Sequence, residues 1–154
     1  MFRSLLVLVT LPLVAVGIGR AQEDEPTLLD VKLSDWIKRL DEGVTPKERR
    51  KAAIAIEQIG HAKSRRVVPA LVKALRDDKD EFVRLAAARA VGRAVAKANE
   101  QAREERKEEL PKFETARETL VTALRFDKAD AVREAAALAL GDIGPDARLA
   151  ASAL

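Results

Sequence analysis

The chain has 154 residues, a formal net charge of +3, one histidine and no cysteine. Without cysteine it can form neither disulfides nor thiolate metal sites, so its stability rests on apolar packing, for which stacked helices are a natural means. The basic excess is largely N-terminal: loss of Arg3 and Arg20 lowers it from +3 to +1, too little for a global field that attracts nucleic acid.

Residues 1–21, MFRSLLVLVTLPLVAVGIGRA, open with Arg3, run through an apolar stretch from Leu5 to Ile18 and end in Gly19-Arg20-Ala21. These are the parts of a secretory signal peptide, with cleavage expected after Ala21 because the processing peptidase needs small side chains on either side of a variable one. An uncleaved membrane anchor is the weaker alternative, since the apolar run of 14 residues falls short of the ~20 that a span wants. A lipoprotein is excluded, because the attachment site needs a cysteine. The protein is expected to be exported, periplasmic or secreted, with residues 22–32 as a flexible segment ahead of the repeats.

From residue 33 onward one phrase recurs. In its second copy Val68, Leu71, Val72 and Leu75 follow the i, i+3, i+4, i+7 spacing of a helix with one buried face. A polar turn, Asp77-Asp78-Lys79-Asp80, and an Ala-rich helix, VRLAAARAVGRAV from Val83, come next. The first copy stands 35 residues upstream, with Trp36, Ile37 and Leu40 in the places of Leu71, Val72 and Leu75, and Glu57 in the place of Gly92. Its turn, Gly43-Val44-Thr45-Pro46, carries a clear helix start at Thr45. The third copy stands 49 residues downstream, with Leu120, Val121 and Leu124, the turn Asp127-Lys128-Ala129-Asp130, and VREAAALALGDIG, whose Gly141 aligns with Gly92. The units cover about 33–61, 65–96 and 114–144.

The extra 14 residues between the second and third copies fall on a charged run, 97–112. Its acids and bases can pair at i,i+3 and i,i+4, so the second Ala-rich helix is expected to continue to about Leu110, where Pro111 stops it. After Gly144, residues 145–154 read as an incomplete fourth unit, apolar where a terminal unit normally carries a polar cap. The expectation is a fragment of a longer array, or an open end that pairs with another chain, self-association included.

Periods near 35 residues with two helices each mean a solenoid, since no unit can bury its apolar face alone. The alanines let neighbouring helices approach to the short end of the usual ~8–10 Å spacing while keeping the best helix propensity. The fold class is therefore all-α: a right-handed α-solenoid of stacked antiparallel helix hairpins.

VVPALVKALRDDKDEFVRLAAARAVG and AVREAAALALGDIG resemble the HEAT repeat, in the short form first associated with phycobilisome lyases, over about residues 33–154. That resemblance implies an armadillo-like superhelix in which the turn aspartate and the arginine after valine form a structural ladder between units. Asp78, Arg84, Asp127 and Arg133 hold those positions; Gly43 stands where Asp78 does, so Arg49 is expected to lack its partner. As partly exposed pairs they would each contribute ~0.2–1 kcal/mol. The resemblance also implies that the second helix of each hairpin lines a concave side, taken to be the helices carrying WIKRL, LVKAL and LVTAL. Lys38, Lys73 and Thr122 align on them, with Arg66, Arg76 and Arg125 at the edges, as a candidate partner-binding strip.

Catalytic chemistry finds little to hold in the sequence. His61 has no cysteine or second histidine to join it, no His/Cys/carboxylate cluster has metal-ligand spacing, and Gly141 and Gly144 follow a helix rather than the strand of a phosphate loop. The basic clusters Arg49-Arg50-Lys51 and Arg65-Arg66 lack the aromatics that would stack bases. The reading is an exported, non-enzymatic scaffold or adaptor without cofactor, metal or nucleic acid, binding protein partners through a concave helical surface. Trp36 is assigned to the core or cap of the first unit rather than to a ligand stack. The alternative is an accessory module of a larger enzyme, or a lyase-like protein.

Overall fold

The structure, a computed structural model, describes residues 25–106 and 113–144. The expected signal peptide, the end of the charged insertion and the expected fourth unit lie outside the described residues. Those described form three antiparallel helix hairpins: α1 (Leu33–Glu42) with α2 (Pro46–Ile59), α3 (Ser64–Asp77) with α4 (Glu81–Glu104), and α5 (Glu114–Phe126) with α6 (Asp130–Ile143). A short 3-10 turn, His61–Lys63, joins the first hairpin to the second. Helices α1, α3 and α5 form one layer and α2, α4 and α6 the other, so the fold is the all-α stack that the periodicity implies.

Side-chain caps start the second helices of the first two hairpins. Thr45 Oγ1 accepts from the Glu48 N–H at 3.2 Å, Glu48 Oε2 accepts from the Thr45 N–H at 3.0 Å, and Pro46 takes the first helical position. Asp80 caps α4 by accepting from the N–H groups of Phe82 and Val83 at 3.0 and 3.1 Å. The core runs continuously between the layers, from Leu33, Trp36 and Ile56 through Leu71, Leu75 and Val91 to Leu120 and Val132. Alanine and glycine set the spacing in the second layer: a Cβ on Gly92 would stand 2.6 Å from Ala139 Cβ, so only glycine admits so close a crossing. In the first unit Glu57 fills the equivalent place and pairs with Arg93 at 3.3 Å.

Two expectations are corrected here. Residues 25–32 are not a loose lead-in: β1 (Thr27–Leu28) pairs antiparallel with β2 (Val31–Lys32), in the register Thr27 to Lys32 and Leu28 to Val31. This hairpin closes the first unit. The Leu28 carbonyl accepts from Trp36 Nε1 at 3.3 Å, and Glu25 takes both the N–H and the hydroxyl of Ser34 at 2.9 Å, which satisfies the start of α1. Those two hydrogen bonds hold the Glu25 carboxyl below the usual carboxylate range against some desolvation, with help from the Arg66 guanidinium. Trp36 itself is fully buried, as expected of a core residue, with Arg39 4.8 Å from its ring centroid. The second correction concerns α4, which ends at Glu104 and not near Leu110. Arg106 leaves the helix at φ 52°, before the sequence reaches Pro111.

The loop of the β-hairpin is itself strained, because Leu29 and Asp30 both adopt left-handed φ, 54° and 59°. A two-residue loop with this twist favours Asn-Gly, whereas leucine bears the full cost of its Cβ. Leu29 is exposed, so little burial is lost on changing it. Leu29→Asn is expected to stabilise the fold by about 1 kcal/mol, read as a raised thermal midpoint; a lowered midpoint would contradict the strain.

Candidate partner-binding surface

The three interhelical turns lie along one edge, tied together by arginine and aspartate. Arg49 donates from Nε and Nη2 to Asp78 Oδ2 and Oδ1 at 2.6 and 3.0 Å, and from Nη1 to the Gly43 carbonyl at 2.9 Å. One unit along, Arg84 grips Asp127 in the same two-pronged way at 2.7 and 2.9 Å, with Nη1 on the carbonyls of Asp78 and Lys79 at 3.0 and 3.2 Å. Each arginine therefore holds the turn of its own hairpin and the aspartate of the next. That aspartate also shapes its own turn: Asp78 accepts from the Asp80 N–H at 2.9 Å, and Asp127 from the Ala129 N–H at 3.0 Å.

This geometry revises two expectations about the ladder. Arg49 does not lack a partner, because the pairing runs forward to the following unit and Gly43 need only offer its carbonyl. The Arg84–Asp127 pair is also not partly exposed, its side chains being 7% and 9% accessible, whereas Arg49 of the first pair keeps 18%. Hydrogen bonding from Arg84 holds the Asp127 carboxyl below the usual carboxylate range, against desolvation. Burial pushes Asp78 up, but the Arg49 hydrogen bonds, the Asp80 N–H and the charges of Arg49 and Arg84 more than offset it. Arg133 departs from the pattern. It reaches the Asp127 carbonyl at 2.8 Å and pairs with Asp130 of its own turn.

The expected strip is placed differently from its assignment. Lys38, Lys73 and Thr122 do stand on α1, α3 and α5, but these are the first helices of the hairpins, not the second. They also form the more widely spaced of the two layers. The strip residues are engaged within the chain as well. Lys38 pairs with Glu42 at 3.8 Å, Arg66 with Glu25 at 2.7 Å, Lys73 with Asp41, and Arg76 with Asp77 at 2.8 Å. Thr122 donates to the Glu118 carbonyl at 2.9 Å, and Arg125 lies 5.4 Å from the Phe126 ring centroid. Between α1 and α3 the wide spacing leaves a groove of about 590 Å³, floored by Ile37, Leu40 and Ala70 and flanked by Asp41 and Lys73.

Of the six large apolar side chains exposed among the described residues, three lie at the turn edge, the others being Leu29, Ile54 and Leu138. Val44 in the first turn is 89% exposed, Phe82 at the start of α4 52%, and Phe126 at the end of α5 74%. The Arg50 guanidinium lies 5.7 Å from the Phe82 ring centroid, so the two rings each carry a cationic neighbour. Alignment of the repeats hides this set, because Val44 matches Lys79, Phe82 matches Ala131 and Phe126 matches Asp77. The available signal was a large apolar residue at or beside a turn, once per unit but never at the same place.

Among the described residues, no group of three or more His, Cys, Asp or Glu is placed to hold a metal ion. Nor is any helix there long and apolar enough to cross a membrane. No curated protein matches the chain. Residues 33–104 match the family model described as HEAT repeats, a stretch that starts with α1 and ends with α4, so the first two hairpins of the stack are HEAT-like in sequence as well as in architecture.

Proposed function

We propose that the protein is an exported, non-enzymatic adaptor that binds a protein partner along the turn edge of its helical stack. The observation that carries this reading is the row of Val44, Phe82 and Phe126, one large exposed apolar side chain from each hairpin. Aromatic side chains with arginine beside them are the residue types that dominate binding energy at protein interfaces. Here they are mounted on turns that the Arg49–Asp78 and Arg84–Asp127 pairs hold in place, so little ordering is needed on binding. HEAT repeats generally bind proteins, which agrees with this use of the surface. Export rests on the leader-like composition of residues 1–21.

A photo-crosslinking phenylalanine analogue placed at Phe82 or Phe126 of the full chain, irradiated in the expressing cells, should give the same discrete protein adduct from both positions. The same analogue at Gln58, exposed at the far end of α2, should give none. Adducts from Gln58 alone, or from no position, would rule out the turn edge. The secreted or periplasmic product should begin at Gln22 on N-terminal sequencing; a product retaining Arg3 inside the cell would remove export from the reading.

A further inference from the structure

On the outer side of the second layer, α2 and α4 share a patch of unbalanced charge. Exposed residues recur at helical spacing on each: Lys47, Arg50 and Ile54 on α2, and Phe82, Arg89 and Arg93 on α4. The 35-residue offset aligns Arg50 with Leu85 and Ile54 with Arg89, and two contacts tie the rows together, the Arg50 guanidinium 5.7 Å from the Phe82 ring centroid and Arg93 on Glu57 at 3.3 Å. The acids of α2, and of α4 as far as Arg93, are already engaged. Glu48 closes the cap at Thr45, Glu57 is only 13% accessible beside Arg93, and the charge of Glu81 acts on Arg84. Among the described residues, neither Arg50 nor Arg89 meets a carboxylate. The first layer is the opposite case, for Lys38, Arg66, Lys73 and Arg76 each pair with an acid. Between the two arginines Ile54 is 42% exposed, and Phe82 beside Arg50 is 52% exposed.

We propose that this α2–α4 face binds an acidic segment of a partner protein, with one carboxylate for each of Arg50 and Arg89 and a large apolar side chain between them against Ile54 and Phe82. A guanidinium fork without a counter-charge is matched in two-pronged geometry by a carboxylate, the anion of that shape that a protein segment supplies. Arg50 and Arg89 stand one helix and about one turn apart, so ~10 Å separates the two carboxylates. Free polyanions fit poorly. A chain whose net charge falls to +1 without Arg3 and Arg20 has no far-reaching field to gather them, and a sulfated glycan or a lipid headgroup makes no use of Ile54. The site goes beyond the turn edge, with which it shares only Phe82, and Gln58 lies a turn beyond Ile54 and outside it. The two readings can therefore fail independently.

The test pans displayed random peptides of about ten residues, roughly 30 Å long when extended, against the full chain. Enriched peptides are expected to carry an excess of aspartate and glutamate around a leucine, isoleucine or aromatic residue. The synthetic form of the strongest should bind about 10-fold more weakly after Arg89→Glu, and again after Arg50→Glu, with affinity falling as salt is raised. The same change of charge on α3, Arg65→Glu, should not weaken it, and the chain carrying both Arg50→Glu and Arg89→Glu should enrich basic peptides instead. No enrichment, enrichment without an acidic excess, or equal loss with Arg65→Glu and Arg89→Glu overturns the proposal. So does displacement of the peptide by heparin or by phosphatidylglycerol vesicles at matched charge, which assigns the face to polyanions. Because neither arginine meets a carboxylate, Arg50→Glu and Arg89→Glu should keep the thermal midpoint of the parent; a marked fall means that these side chains serve the fold, and the site does not exist.

Discussion

Replacing Asp127 by alanine is expected to cost about 3–5 kcal/mol of folding free energy, the penalty of leaving a buried guanidinium without its counter-charge. Both prongs of Arg84 end on that carboxylate, and the pair is nearly inaccessible to water. The same change also removes the acceptor of the Ala129 N–H at the start of α6. In a domain whose whole stability is of order 10 kcal/mol, such a loss should shift the urea midpoint far outside experimental error. Asp130→Ala, which touches only the outermost pair of the ladder, should leave the midpoint where it is. The double replacement Arg84→Met with Asp127→Leu should recover most of the loss, because no uncompensated charge then remains inside. If Asp127→Ala and Asp130→Ala behaved alike, the ladder would not be structural.

The pH dependence follows from the same pairs. Asp78 and Asp127 both titrate below the ordinary aspartate value of 3.8 in the folded chain. The unfolded chain therefore binds protons more readily in acid, and the contribution of these pairs is fully present above the unfolded aspartate pKa, ~3.9. It is lost as pH falls through the lower folded values. Urea midpoints should be flat from pH 7 to about 5 and decline below about 4, with a shallower decline in Asp127→Asn.

Much of this architecture was legible because a solenoid writes its structure several times. The offsets of 35 and 49 residues place three hairpins, and the resemblance to HEAT repeats marks Asp78, Arg84, Asp127 and Arg133 as a ladder between units. They do not say which neighbour each residue touches, since alignment compares units with one another and never across their contact; hence Arg49 looked unpaired when Asp78 waits in the next unit. The β-hairpin was hidden for a different reason. Leu29-Asp30 lacks the glycine and asparagine that announce such a loop, and contacts distant in sequence, among them those to Trp36, Ser34 and Arg66, sustain it. The end of α4 had no local signal, for residues 97–110 are rich in good helix formers until Pro111. The turn-edge side chains differ from the repeat consensus, and a reading that follows what recurs passes over what departs.

One substitution made at two aligned positions separates these levels. Gly92→Ala is expected to destabilise by about 1–3 kcal/mol, and Gly141→Ala to stabilise by up to about 1 kcal/mol. Helix propensity alone predicts a gain at both, because each glycine lies inside a helix and alanine is the better helix former. Packing reverses the sign at the first. A methyl group on Gly92 would lie 2.6 Å from Ala139 Cβ and 2.7 Å from its Cα, and backbone cannot rotate away as a long side chain could. The two helices must then separate, which loosens the Arg84–Asp127 fork nearby as well as the apolar contact. At Gly141 no atom of the described residues stands within 4 Å, so the gain in propensity survives, reduced by its place in the last turn of α6. Urea titrations of the two variants should move in opposite directions from the parent. Movement in the same direction would mean that the α4–α6 crossing is looser than Ala139 implies, or that the outer face of α6 is already covered.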